Sequence, residues 1–175
     1  QTEKFTCYRH DAGDPKSLSA DRVFSIHEDR SGALWIGVMG GGINKFDRKT
    51  QKFLHIQSQP AQKNTLSHDM VWSIHEGRDG ILWVGTGEGG LNRIDLKKEA
   101  FVSYKKDPHS PNSISANTVF SIYEDRGHHL WLGTPAGLDK FDLSTSTFSH
   151  FNHSPGNPNS LSHNYVLVIQ GDRFS

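Results

Sequence analysis

The sequence predicts an all-β fold, a β-propeller fragment of three complete four-stranded blades plus the edge strands of two more. Three observations predict it. The chain repeats itself with a period of about 48 residues. Each period holds four short strand-like runs separated by turn residues. The first two runs of each period are apolar on both faces, so each sheet needs a neighbour on both sides.

The register is read directly. Ser17-Leu18-Ser19 becomes Thr65-Leu66-Ser67, Ser113-Ile114-Ser115 and Ser160-Leu161-Ser162. Val23-Phe24-Ser25-Ile26 becomes Val71-Trp72-Ser73-Ile74, Val119-Phe120-Ser121-Ile122 and Val166-Leu167-Val168-Ile169. Leu34-Trp35-Ile36-Gly37 becomes Leu82-Trp83-Val84-Gly85 and Leu130-Trp131-Leu132-Gly133. Phe5, Phe53, Phe101 and Phe148 each open a short segment. Residues 1–175 therefore read as a single partial propeller, with repeats at about 5–52, 53–100 and 101–147 and a partial repeat at 148–175.

Within a repeat, the Val-aromatic-Ser-Ile run reads as the first and innermost strand, its serine small enough for the crowded axis. Asp29-Arg30-Ser31-Gly32, or Gly77-Arg78-Asp79-Gly80, reads as a hairpin turn, with glycine supplying positive φ. Leu-Trp-Ile-Gly is the second strand, Gly42–Asp47 the third and Phe53–Ile56 the fourth. A long polar loop leads to the next repeat. Four short strands apolar on both faces are buried by radial stacking. A β-solenoid has much shorter coils, and a sandwich would not need such strict repetition.

Composition narrows the function. The 19 basic and 19 acidic residues cancel and form no block, which disfavours a nucleic-acid partner. The single cysteine, Cys7, permits no internal disulfide and reads as a small apolar strand residue. No apolar run approaches the ~20 residues of a membrane helix, and nothing at the start reads as a signal peptide.

The string from Ser17 to Asp47, repeated from Ser113 to Asp142, resembles the two-component regulator propeller repeat. Copy one departs from it at Val38-Met39, copy two has Gly77 in place of an acid, and copy three is one residue short around Pro135-Ala136-Gly137. The resemblance implies the periplasmic sensor region of a hybrid two-component histidine kinase. In the parent it implies a seven-bladed propeller that recognises oligosaccharides, followed by a transmembrane helix, kinase and response-regulator modules.

Several features resemble chemistry and have simpler readings. The closest groups among the 11 histidines, His128-His129 and the pair His150 and His153, lie on different strands and turns without cysteine, so no metal is expected. The Asp-Arg-Ser-Gly turns lack the acid pattern of a calcium loop. Gly85–Gly90 resembles a phosphate-cradling loop but leads into a strand, not a helix. Asn152-His153-Ser154 matches a glycosylation sequon by accident. Trp35, Trp83 and Trp131 recur at one strand position, which points to packing between blades. No nucleophile–base or paired-carboxylate arrangement emerges, and no cofactor is expected.

Function is sought where the repeats differ. The loop entering the first strand and the loop joining the second and third strands share one propeller face. The first carries Asp21-Arg22, Asp69-Met70, Asn117-Thr118 and Asn164-Tyr165; the second carries Val38-Met39, Gly87-Glu88 and Pro135-Ala136. Arg22, Met70, Glu88, Thr118 and Tyr165 are the candidate ligand-binding residues. The expectation is a non-enzymatic, periplasmic ligand sensor for oligosaccharides. A protein-interaction platform and a propeller lyase or hydrolase are its rivals. A three-blade arc leaves bare apolar faces, so a homodimer or larger homo-oligomer through blade faces is expected.

Overall fold

The computed structural model describes residues 4–172. It contains twelve strands in three four-stranded antiparallel meanders. The first sheet is β1 (Val23–Glu28), β2 (Leu34–Val38), β3 (Ile43–Asp47) and β4 (Lys52–Ile56). The second is β5 (Val71–Glu76), β6 (Leu82–Thr86), β7 (Leu91–Asp95) and β8 (Ala100–Tyr104). The third is β9 (Ser121–Glu124), β10 (His129–Thr134), β11 (Gly137–Asp142) and β12 (Thr147–Phe151). The sheets stack through their first strands, β1 against β5 and β5 against β9.

Two of the three core clusters lie between blades, as the two-sided apolar pattern requires, and a smaller one of Leu18, Ile36, Val38 and Phe53 lies on blade one. Trp35 and Ile43 of the first blade pack with Leu66, Val71, Leu82, Val84 and Ile94 of the second. Trp83 and Leu91 of the second pack with Ile114, Val119, Leu130, Leu132 and Phe141 of the third. Trp35 and Trp83 are fully buried. Trp131 is only partly buried, because the side that the next blade would cover is open and faces Ile169 and Gln170. At the other end of the arc Phe5 is 97% exposed, although its counterpart Phe53 is 6% exposed. Neither Phe5–Tyr8 nor Val166–Gln170 has a ladder partner among the described residues. Val166 N does donate to Thr134 O at 3.0 Å, repeating the Val119 N to Thr86 O bond one blade earlier.

The Ser-Leu-Ser motif works in three parts. The first serine closes its own loop, with Ser17 Oγ accepting from Asp11 N and Ser113 Oγ from Asp107 N, both at 2.9 Å. The apolar residue enters the core, with Leu18, Leu66 and Ile114 all buried. The second serine ties the loop to the third strand: Ser67 N donates to Asn92 Oδ1 at 3.0 Å, and Asn92 Nδ2 returns a bond to Ser67 Oγ at 2.7 Å. In the third blade Asp139 replaces the asparagine, accepting from Ser115 N at 2.8 Å and facing His150 Nδ1 at 2.7 Å.

Small residues set the distance between blades. Ser25, Ser73 and Ser121 lie opposite Gly37, Gly85 and Gly133. A Cβ on any of these glycines would strike the paired serine hydroxyl and the valine that begins the next blade. At the opposite rim, arginines clamp consecutive blades. Arg30 donates to Gly77 O at 2.6 Å and Arg78 O at 2.8 Å, and Arg78 donates to Arg126 O at 3.1 Å. The amides of Arg30 and Arg78 bond Glu76 and Glu124 of the following blades.

The turn that carries these arginines differs in blade two, with an energetic consequence. Trp35 and Trp131 each donate their indole N–H to an aspartate, Asp29 and Asp125, at 2.8 Å. Blade two has Gly77 there, and the buried Trp83 Nε1 has no partner. Partial burial opposes ionisation of Asp29, yet bonds from Ser31, the Trp35 indole and the Ala33 amide together hold its carboxyl down to about 2. A Cβ at Gly77 would lie 3.1 Å from Trp83 Nε1 and 2.9 Å from Asp79 Oδ1, so Asp79 must give way. The double substitution Gly77→Asp with Asp79→Ser rebuilds the turn of blade one. It is expected to stabilise the chain by about 0.5–1.5 kcal/mol, one satisfied buried donor. A carboxyl depressed on folding stabilises above its unfolded pKa, so the gain should be full at neutral pH and vanish as pH falls from about 4 towards 2. Urea midpoints at neutral and acid pH check this; an unchanged neutral midpoint would show that the indole gains nothing from the acid.

Candidate functional site

The two loops predicted to share a face do so, tied by backbone bonds. Met39 N donates to Arg22 O at 2.9 Å and Gly87 N to Met70 O at 2.8 Å. In blade three the donor position is Pro135, which has no N–H. Four of the five predicted residues, Met70, Glu88, Thr118 and Tyr165, line one depression of about 360 Å³, with His68, Trp72, Gly87, Phe120 and Pro135. It spans repeats two, three and four. Arg22 does not line it: its guanidinium turns to Met39 Sδ at 3.5 Å, one blade away.

Half of each loop pair is structural. Asp21, Asp69, Asn117 and Asn164 each accept from a backbone amide eleven residues earlier, those of His10, Ser58, Lys106 and His153, at 2.6–2.7 Å. Their shared bond accounts for the choice of Asp or Asn. Val38, grouped with the loops from the sequence, ends β2 and is fully buried.

An aromatic row forms the floor of this face. Phe24 stacks on Trp72 with centroids 4.2 Å apart and planes 14° apart. Trp72 meets Phe120 edge-on at 5.3 Å, and Phe120 meets Tyr165 at 5.0 Å. A β-bulge builds the row. The ladder pairs Val71 with Thr86 and then Ser73 with Gly85, leaving Trp72 as the extra residue; Phe24 is extra in the same way between Val23 and Ser25. A bulge re-aims its residue, here towards the neighbouring blade's counterpart. The sequence pattern marks these aromatics only as the second apolar face of a strand, so Trp72 and Phe120 were not among the expected site residues. A Cβ at Gly87 would lie 2.8 Å from Met70 Sδ and 3.1 Å from Trp72 Nε1, so glycine lets both pack under the loop. Trp72 Nε1 is buried without a partner.

The histidines singled out from the sequence serve the fold. His129 Nδ1 faces Asp125 at 3.1 Å, His150 bridges Asp139 and Pro111 O, and His153 Nδ1 meets Leu161 O at 2.7 Å. His128 lies 3.6 Å from the buried Glu124. The Gly85–Gly90 segment is a strand-to-strand turn, closed by Thr86 Oγ1 donating to Gly90 O at 2.9 Å.

Three stacked four-stranded meanders, joined through their first strands and carrying a lined depression on the loop face, define a partial β-propeller. The family model for the two component regulator propeller matches residues 17–40, 65–88 and 113–136, once in each blade. The matched segment of each blade is similar to the two component regulator propeller repeat. The fold is similar to the extracellular domain of the hybrid two component system BT3049 from B. thetaiotaomicron (TM-score 0.70, 24% identity), covering 97% of this chain and 27% of that one. It is also similar to the extracellular domain of BT4673 from the same organism (TM-score 0.64, 26% identity), covering 80% of this chain and 20% of that one. This chain thus spans about a quarter or less of the length of these neighbours. A comparison with curated proteins finds no match.

Proposed function

We propose that this chain is part of the ligand-sensing surface of an extracellular, two-component-type sensor, and that its depression takes a sugar ring of an oligosaccharide without chemical conversion. The observation that carries the reading is the aromatic row of Trp72, Phe120 and Tyr165 beside the hydroxyl of Thr118 and the carboxylate of Glu88, at one small concavity. An apolar wall with a few convergent polar groups is the usual form of a small-ligand site. His68 Nδ1 accepts from Met70 N at 3.1 Å and so holds the turn rather than acting on a substrate. Because the walls come from three repeats, a bound ligand would favour one spacing of the blades over another. A downstream kinase could read that shift. The two neighbours, being extracellular domains of such systems, support the location and the sensing role.

Calorimetry with a panel of oligosaccharides tests the reading. Tyr165 is 52% exposed, so Tyr165→Ala should leave the fold intact. It is expected to weaken a binding oligosaccharide by about tenfold or more, the effect of losing one aromatic anchor. Arg22→Ala should leave binding unchanged. Binding that responds to Arg22→Ala but not to Tyr165→Ala would move the site away from the depression.

A further inference from the structure

Glu88 stands out from the rest of the depression by its backbone. It sits at φ 71°, in the left-handed region that costs a residue with a Cβ roughly 1–2 kcal/mol. Its counterpart in blade one is Gly40, at φ 78°, and in blade three Ala136. A Cβ on Gly40 would meet nothing within 4 Å, so the position has room for a side chain and no packing need for one. Blade two thus carries a carboxylate at a turn position where glycine would be less strained. Strain kept without a packing return points to use.

The surroundings show what the carboxylate would meet. Neither lysine nor arginine lines the depression, and among the described residues Glu88 has no hydrogen-bond or ion-pair partner. The nearest candidate cation in the loop set, Arg22, is held on Met39 in the adjacent blade. The remaining walls are Trp72, Phe120 and Tyr165, whose ring faces carry negative charge density and attract cations. Met70 adds a polarisable thioether, and Thr118 adds a hydroxyl. Carboxylate and aromatic faces act in the same direction: they favour a cation and repel an anion.

We propose that the depression reads a cationic amine on its ligand, an amino sugar within the oligosaccharide, and that Glu88 is the residue that sets this specificity. The inference rests on the sugar-site reading above and adds the charge class of the ligand. An uncharged sugar gains a hydrogen bond from Glu88 that glutamine could equally supply. A uronic acid is repelled. An ammonium gains both the ion pair and the ring faces, and this gain is screened by salt because the mouth is open.

The test uses calorimetry on the 175-residue chain with short oligomers of equal length: glucosamine, N-acetylglucosamine and galacturonic acid, buffered so that the amines are protonated. The glucosamine oligomer should bind at least about tenfold more tightly than its acetylated counterpart, the effect of one partly exposed ion pair with cation–π support. Glu88→Gln should erase that preference while keeping a hydrogen-bonding group, and added salt should reduce it. Glu88→Gly, the residue of blade one, should erase it too while leaving the melting temperature unchanged or raised. Acetylated or acidic oligomers bound as tightly as the amine, with no effect of Glu88→Gln, would overturn the charge assignment and leave the sugar site standing. Failure of all three oligomers to bind would overturn both readings.

Discussion

Replacing Trp83 by alanine is expected to destabilise the chain by about 3–5 kcal/mol, the range for deleting a large buried aromatic. Trp83 is 1% exposed and fills the seam between blades two and three, against Leu130, Leu132 and Phe141. Its ring also lies 6.0 Å from Phe141 and 6.1 Å from Tyr104. Trp131→Ala should cost clearly less, because Trp131 is only partly buried. The indole N–H supplies a second comparison. Trp35 bonds Asp29, whereas Trp83 Nε1 has no partner. Trp83→Phe should therefore cost less than Trp35→Phe, which strips a bond from a held carboxylate. Urea unfolding of the variants measures the order. Equal losses at Trp83 and Trp131 would mean that the seam between blades is not where the stability lies.

How far the fold was legible follows from what repeats. Leu18, Leu66 and Ile114 recur because each blade needs the same plug, and the Leu-Trp-x-Gly runs recur because each seam needs the same tryptophan and the same glycine. Any contact made once per blade writes itself into the sequence at the repeat period. The candidate site was legible only in part. Met70, Glu88, Thr118 and Tyr165 were singled out because the repeats differ in chemistry on these two loops, and they line one depression. Arg22 met the same criterion, yet each position faces its own blade's neighbour, and Arg22 lies one blade too far round. Trp72 and Phe120 were hidden for a different reason. Residue alternation assumes an unbroken ladder, and the bulge between Val71 and Ser73 reverses the direction of the residue it adds. The serine opposite glycine was legible as a small residue. Its role in letting the next blade approach needed the cross-strand pairing of Ser73 with Gly85.

The second large effect is expected at Gly90, where two constraints coincide. Its φ of 77° lies in the left-handed region, and a Cβ there would collide with the carbonyl oxygen of Tyr104. Gly42 and Gly137 meet the carbonyls of Ile56 and Phe151 in the same way, so this approach of the third strand to the end of the fourth is a fixed part of every blade. The atom struck belongs to the backbone of the adjacent strand, so no rotamer change relieves it. Gly80 separates the two constraints. Its φ is 79°, but a Cβ there would meet nothing within 4 Å, and blade three already carries His128 at the equivalent position with φ 60°. Gly80→Ala should therefore cost only about 1–2 kcal/mol, the backbone preference alone. Gly90→Ala adds a displaced strand to that cost and should exceed about 4 kcal/mol, in the range kept for disrupted cores. Differential unfolding in urea, with circular dichroism to establish that each variant retains its β-sheet, measures both. Similar losses at Gly80 and Gly90 would show that the strand can shift to admit a methyl group, and that the blade is looser at this corner than its contacts imply.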